Sequence, residues 1–366
     1  MCGDPKVSVV VPVFNVGKYL GESLESLLRQ TLEEIEIVCV DDGSTDSSAA
    51  ALADFAARDA RVKVLTQANA GAGAARNAGL EAARGEYVFF CDPDDWCEKR
   101  MLAAMYRCAK REDCDVVLAG ALRHDTVCGV PYAAYPTRRL LAMKHPFAGR
   151  DAADFIFSDA KANPWNKLVR REFLSAHGIR FQEQLRENDL YFSYATVAAA
   201  ARIGIVDGAY YHYRIGRPGS LQDNVRSDGS PLLWLNAFAA VKERLRREGM
   251  LDVFSLGLLR ILAGTGCRNM LKQHSPDAIS AHYAVLRREI VEFSSMCGER
   301  AASLGEGERA IIGIVLSSES PLPLATHMAR RYQALSVGRG SSSTTALVRR
   351  AARMLHGVVS VARGRR

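Results

Sequence analysis

At 366 residues, 48% hydrophobic and 24% charged, the chain has the composition of a folded protein that buries a sizeable core, and its length suggests about two domains. The net charge of +7 is unevenly spread: nine arginines and no acidic residue follow Glu319, so residues 1–319 carry 39 basic against 41 acidic residues. The body is near-neutral and the tail basic, so the overall charge says little about the active part; no nucleic-acid partner is expected.

The nine cysteines include no C-x-x-C pair, and Cys91/Cys97 and Cys108/Cys114 lack zinc-site spacing. They read as reduced thiols in a cytoplasm. "VSVVVPVF" is too short for a signal sequence and has no basic region before it. No apolar run reaches the ~18 residues of a membrane span, and Arg260 interrupts the best candidate, "FSLGLLRILAG".

The first element is "VSVVVPVF", a β-branched run suited to a strand buried on both faces. A helical segment, "YLGESLESLLRQ", follows. Then come strand "EIEIVCVDD", helix "SSAAALADFAARD", strand "RVKVLTQ" and helix "AGAARNAGLEAARG". Strand "EYVFFCD", helix "EKRMLAAMYRCAKRE" and strand "CDVVLAGAL" complete the series. Strict alternation predicts an α/β fold with a mostly parallel, doubly wound sheet. Residues 125–165 lose the pattern. "ENDLYFSYATVAAAA" reads as a helix, "RIGIVDGAYYHYRI" as one or two strands, and about 230–300 as helical. "VGRGSSSTT" (337–345) has linker composition. Beyond it, "TTALVRRAARMLHGVVSVARGRR" places apolar residues on one side at helical spacing, with arginines largely off that stripe.

Ligands of open α/β sheets bind beyond the carboxyl ends of the strands, and polar residues recur there. The first strand ends in Phe14–Asn15, the second in Asp41–Asp42, and the third leads into "NAGAGAARNAG". The fourth leads into "CDPDDW", where Asp92, Asp94 and Asp95 place three carboxylates in four positions. Such a cluster is tolerable if solvated or if a cation sits within it. Taken singly, these are ordinary turn and helix-cap residues. "GAGAAR" is not a dinucleotide fingerprint, because Arg76 stands where the third glycine belongs and the motif follows the third strand. "DPDDWC" also lacks the order of a calcium loop.

In combination, "VSVVVPVFNVGKYLGESLESLLRQTLEEIEIVCVDDGSTDSS" and "NAGAGAARNAGLEAARGEYVFFCDPDDW" closely resemble the opening of family 2 glycosyltransferases with the GT-A fold. The resemblance covers about residues 6–110 and continues more weakly through "NKLVRREFLSAHGIRF", "ENDLYF" and "YYHYRIGRPGS" to about 220. It implies a GT-A domain over 1–220, with a Rossmann-like nucleotide-binding half to about 120 and an acceptor half over 121–220. A helical region over 221–335 and a flexible basic tail over 336–366 would follow.

The resemblance also implies site roles. Asp92, Asp94 and Asp95 would hold Mg²⁺ or Mn²⁺ against the donor diphosphate, with Asp94 also on the donor sugar or ribose and Asp95 nearest the metal. Pro12, Phe14 and Asn15 would border the base and ribose, and Asp42 would accept from the uracil ring. Arg76 would approach the base or diphosphate, while Asn69, Gly71 and Gly73 shape the loop. The general base maps to Asp189 in "RENDLYF". Many members read E-D-x-x-F, whereas Asn188 replaces the glutamate here and Glu187 is the reserve candidate. Trp165, Asn166 and Lys167 in "PWNKL" would shape the acceptor site or pack. His212 and Arg214 would approach the diphosphate, with His212 also readable as a structural histidine at a strand end.

The function so implied is an inverting transfer from a nucleotide sugar, UDP-linked, to a saccharide or lipid-linked acceptor in cell-surface polysaccharide synthesis. The expected location is cytoplasmic, and the basic tail reads either as an anchor on the inner membrane face or as a disordered solubilising segment. Two alternatives stay open: a sugar-phosphate nucleotidyltransferase, and a catalytically inactive nucleotide-sugar-binding subunit.

Overall fold

The computed structural model describes residues 4–125, 132–134, 138–216, 232–273 and 275–336; the basic tail and "RPGS" (217–220) lie outside them. The chain divides into two compact units, Met1–Arg217 and Pro218–Arg366.

The first unit opens with β1 (Val7–Val13), α1 (Gly17–Leu28), β2 (Ile35–Asp41), α2 (Ser48–Arg58), β3 (Val62–Thr66), α3 (Ala72–Ala82) and β4 (Tyr87–Phe90). Every residue of β1, β2 and β4 is buried, as a sheet covered on both faces requires. β1 pairs in parallel with β2 and β4, and β2 with β3. Helix α3 lies so close to β1 that a Cβ at Gly79 would stand 2.3 Å from Val10 Cγ1.

The alternation then breaks. A two-residue strand β5 (Trp96–Cys97) precedes α4 (Met101–Arg111), so this helix starts later than its sequence pattern suggests. After β6 (Val116–Asp125) come β7 (Tyr132–Ala134), α5 (Arg138–Leu141), α6 (Ile156–Ala160), β8 (Lys167–Arg170), α7 (Arg171–Ala176), α8 (Asn188–Ala199) and β9 (Ile203–Ile215). Strand β8 was not legible in sequence: it has four residues, two of them basic, and no usable period. It inserts antiparallel between β4 and β6, while β6 and β9 run parallel. The sheet order is β3-β2-β1-β4-β8-β6-β9-β5, with β7 beside β6. "RIGIVDGAYYHYRI" forms one long strand, accommodated by register shifts at Ala119–Ala121 of β6. The carboxyl ends of β1, β2, β4 and β9 lie along one edge, and β5 pairs with β9 there.

The second unit is helical over its described residues: α9 (Leu233–Arg247), α10 (Leu251–Ile261), α11 (Cys267–Leu271), α12 (Pro276–Cys297), α13 (Glu306–Ser317) and α14 (Leu322–Ser336). Helix α12 starts from Ser275, whose side chain accepts from Ala278 N, with Pro276 in the first turn. Phe238 meets Phe293 edge-on at 6.0 Å, and Lys242 reaches both Glu289 and Glu292. No helix among the described residues is long and apolar enough to cross a membrane.

Candidate active site

The carboxyl edge of the sheet gathers most of the expected residues. At the end of β1, Phe14 stands 45% exposed, large for an aromatic side chain beside a buried strand. Asn15, at φ 51°, accepts from Thr45 N at 2.8 Å and Asp46 N at 3.3 Å, tying β1 to the turn after β2. Pro12 lies one step deeper, buried opposite Val40.

Asp42 is 2% exposed and holds the next loop. Its Oδ1 accepts from Gln67 Nε2 (2.7 Å) and Ala70 N (2.8 Å), and its Oδ2 from Gly71 N (2.8 Å). These three donors leave one of a carboxylate's roughly four acceptor positions. Gly71 sits at φ 89° with nothing within 4 Å of a would-be Cβ, so backbone conformation alone calls for glycine there. Asn69 is exposed on the same loop. A Cβ at Gly73 would meet Gln182 O at 2.1 Å, so α3 runs tight against the segment leading to α8.

Arg76, on α3, is 7% exposed and joins two parts of the chain. Its Nη2 donates to Asp92 Oδ1 at 2.7 Å and its Nη1 to Asn188 Oδ1 at 2.8 Å, while its buried Nε has no partner. Asn188 therefore occupies the acceptor position opposite Arg76. Asp189 follows it in the first turn of α8. The i, i+3 spacing places Asp189 and Phe192 on one helical face. Phe192 is buried, stacked on Phe181 (4.0 Å) and edge-on to Phe90 (5.1 Å), the last residue of β4. This aromatic cluster sets α8 down beside the aspartates. Burial pushes the Asp189 carboxyl above its ordinary range; Arg76 pulls it down, Asp92 pushes it further up and Lys167 pulls it down. Glu187 caps α8 at φ 55°, its carbonyl accepting from Gln184 Nε2.

The aspartates are held differently from one another. Asp92 and Asp94 are half-buried, whereas Asp95 is 1% exposed. Tyr211 Oη donates to Asp95 Oδ2 and Arg214 N donates to Asp95 Oδ1, both at 2.8 Å. Asp92 N donates to Tyr211 Oη at 3.1 Å, and Arg214 Nε donates to Asp94 O at 2.9 Å. Burial, with the charges of Asp94 and Asp92, pushes the Asp95 carboxyl well above its usual range.

The donor set, all carboxylate oxygen, suits a hard cation. The three carboxylates do not group with ligand atoms all within 4.8 Å of one another; Asp92 is paired with Arg76 and Asp95 accepts from Tyr211. A Mg²⁺-class ion takes one or two carboxylates plus phosphate oxygens and water, so the arrangement fits that mode of binding.

Sequence reasoning missed Tyr211. It is fully buried, stacked on Trp165 at 4.5 Å, and is the hydroxyl that serves both Asp95 and Asp92. Period two in "YYHYR" was the available signal: Tyr211 and Tyr213 share one face of β9, and Trp165 stacks on both. Trp165 therefore packs beneath the aspartate loop. Lys167 is buried, its Nζ donating to Ala160 O, Lys161 O, Asn163 O and Asn166 Oδ1 at 2.6–3.0 Å. Burial pulls it down to about 7. His212 stacks on Trp96 at 5.0 Å and bonds Glu98 and His124. Arg214 reaches Glu22 with Nη2 and lies over the Trp96 ring.

Residues 8–174 match the family described as glycosyl transferase family 2. The glycosyltransferase GlyG of Streptococcus pneumoniae is 35% identical over 265 residues, which are 70% of this chain and 84% of that protein. The chain belongs to glycosyltransferase family 2. It spans only 63% and 61% of two other curated relatives that it matches. The fold is that of Staphylococcus aureus TarS 1–349 in complex with UDP-GlcNAc, with TM-score 0.68, 22% identity, and 88% of this chain and 91% of that one covered. The mannosyltransferase PcManGT of Pyrobaculum calidifontis, in complex with GDP-Man and Mn²⁺, matches with TM-score 0.53 at 17% identity over 98% of this chain and 87% of that one. This family 2 chain thus carries a mixed GT-A sheet with its polar residues gathered at one edge.

Proposed function

We propose that the protein is an inverting, metal-assisted glycosyltransferase that uses a UDP-linked sugar and a saccharide or lipid-linked saccharide acceptor of the cell surface. The observation that carries this reading is Asp189: a half-buried carboxylate of raised pKa in the first turn of α8, next to Asn188, which Arg76 bridges to Asp92.

Asp189 would take the acceptor hydroxyl's proton as that oxygen bonds to the anomeric carbon, while the C1–O bond breaks and UDP leaves with its electron pair. A divalent ion, Mg²⁺ or Mn²⁺, would offset the charge growing on the diphosphate. Asp94 and Asp95 would hold it, with Asp92 alongside and already paired to Arg76. The fold-mates that bind UDP-GlcNAc, and GDP-Man with Mn²⁺, support such a donor and ion. The exposed Phe14 face suits base stacking, and the remaining acceptor position on Asp42 suits a uracil N–H. Asn69 and Gly71 would let the backbone pass close to the nucleotide. The basic tail would keep the enzyme at an anionic membrane surface near a lipid-linked acceptor.

The deciding experiment is a screen of nucleotide sugars with water as acceptor. UDP release supports a transferase; pyrophosphate release from a sugar phosphate and UTP would identify a nucleotidyltransferase. Nucleotide binding without turnover on any donor and acceptor would mark a binding subunit.

A further inference from the structure

Three side chains outside the transfer site converge where α4 ends and β6 begins. The ligand atoms of Cys108, Glu112 and Cys114 all lie within 4.8 Å of one another, the one such trio of His, Cys, Asp or Glu among the described residues. The place is remote from the aspartates along the sheet: Cys114 precedes the amino end of β6, whereas Asp92 follows the carboxyl end of β4, and both strands pair antiparallel to β8.

The pocket shows an unmet demand. Cys108 and Cys114 are 3% and 0% exposed. Glu112 Oε1 meets Arg111, but Glu112 Oε2 is buried and has no hydrogen-bond partner. An orphaned buried carboxylate oxygen is costly, and calls for a ligand or an ion. Gly204 of β9 packs directly against the trio. A Cβ there would stand 2.8 Å from Cys114 Sγ, 2.9 Å from Cys108 Sγ and 3.5 Å from Glu112 Oε2. The missing side chain faces all three potential ligands.

The frame is rigid. Arg202 donates to Glu112 O (2.6 Å from Nη2) and to Asp113 O (3.0 Å from Nε). Tyr87 Oη and Arg170 Nη2 each donate to Cys114 O at 3.0 Å. Asp113, at φ 46°, turns the chain back so that Cys114 faces Cys108 despite the five-residue gap. That turn is why the linear spacing does not read as a metal motif.

We propose that Cys108, Cys114 and Glu112 form a binding site for a thiophilic divalent cation of the Zn²⁺ class, separate from the donor site. Zn–S bonds of ~2.3 Å and Zn–O bonds of ~2.0–2.2 Å need only a small closing of the trio. Water fills the fourth position, reached past Glu112, whose side chain keeps 18% exposure. The bound ion ties the end of α4 to the start of β6 and stabilises the folded state by linkage.

The test is Co²⁺ titration of the EDTA-stripped, reduced full-length protein, read by absorption. Two thiolates on tetrahedral Co²⁺ give strong sulfur-to-metal charge transfer, which a carboxylate cluster cannot. The expected result is a charge-transfer signal that saturates near one Co²⁺ per chain and is displaced by Zn²⁺. It is lost in Cys108→Ser. In Glu112→Gln, which keeps both thiols, affinity falls at least about 10-fold. No charge-transfer signal in the wild-type protein overturns the proposal, as does a signal of unchanged affinity in both variants. A Cys108–Cys114 disulfide that forms readily, with no metal uptake after its reduction, also overturns it.

Discussion

Arg76 and Asn188 are 112 residues apart in sequence, yet the Arg76 guanidinium donates to the Asn188 amide oxygen at 2.8 Å while its other Nη holds Asp92. Asn188 stands where many family members carry glutamate. It keeps the acceptor function and removes a negative charge beside Asp189, which carries a carboxylate of its own. The bridge therefore ties the start of α8, which carries Asp189, to the aspartate loop.

Asp189→Asn keeps the size of the side chain and removes the proton acceptor. Turnover should fall by roughly 10²–10⁴, with UDP-sugar binding within a few-fold of wild type. Glu187→Gln should retain activity. Steady-state kinetics and nucleotide-sugar titration read both, and an active Asp189→Asn beside an inactive Glu187→Gln moves the base to Glu187.

The raised Asp189 pKa has a sign for activity and another for stability. The base works ionised, so kcat should rise with pH through a value above the ordinary ~3.9 of an aspartate. The folded state binds this proton more tightly than the unfolded one. Its stabilising contribution is full below the unfolded pKa and lost as pH rises through the folded pKa. Asp189→Asn should therefore raise Tm at pH 7.5, with the gain vanishing on acidification. A Tm below wild type at pH 7.5 would contradict this.

Lys167 lowers the Asp189 pKa from a buried position. Lys167→Met should shift the acid limb of kcat upward. It also leaves the Ala160, Lys161 and Asn163 carbonyls without this donor, a cost of about 1–3 kcal/mol for each that stays buried and unmet. Denaturant unfolding and a pH–rate profile measure the two effects separately.

Tyr211→Phe preserves the stack on Trp165 and deletes the hydroxyl shared by Asp95 and Asp92 N. EDTA should abolish transfer, and Mn²⁺ should restore it. In the variant, the Mn²⁺ concentration for half activation should rise about 10–100-fold. Unchanged metal dependence would remove Tyr211 from the support of the site, and full activity in EDTA would remove the metal itself.

Deleting residues 338–366 should move the protein from the membrane fraction to the soluble one and leave UDP-sugar hydrolysis intact. Basic residues near an anionic surface contribute about 1 kcal/mol each. Equal binding of the full-length and truncated proteins to anionic vesicles at low salt would rule the tail out as an anchor.

The alternating strands and helices to β4, and the placing of polar residues at strand ends, were legible in the sequence. Their signals are local: β-branched runs buried on both faces, 3.6-residue periods, and glycines and carboxylates just past the last strand residue. The aspartates fall just past a strand end for the same reason, but their role and that of Asp189 came only from the resemblance to family 2 glycosyltransferases. Strand β8, too short and basic to carry a period, could not be read, and it decides that the sheet is mixed. Tertiary structure alone shows that Phe192 and Phe90 set α8 against the aspartate loop, that Tyr211 lies beneath Asp95, and that Asp42 spends three of its acceptor positions on loop 67–71. It also brings Cys108, Glu112 and Cys114 together across a left-handed turn and against a glycine about 90 residues later. Each of these depends on desolvation and contact between segments distant in the chain, which residue spacing does not encode.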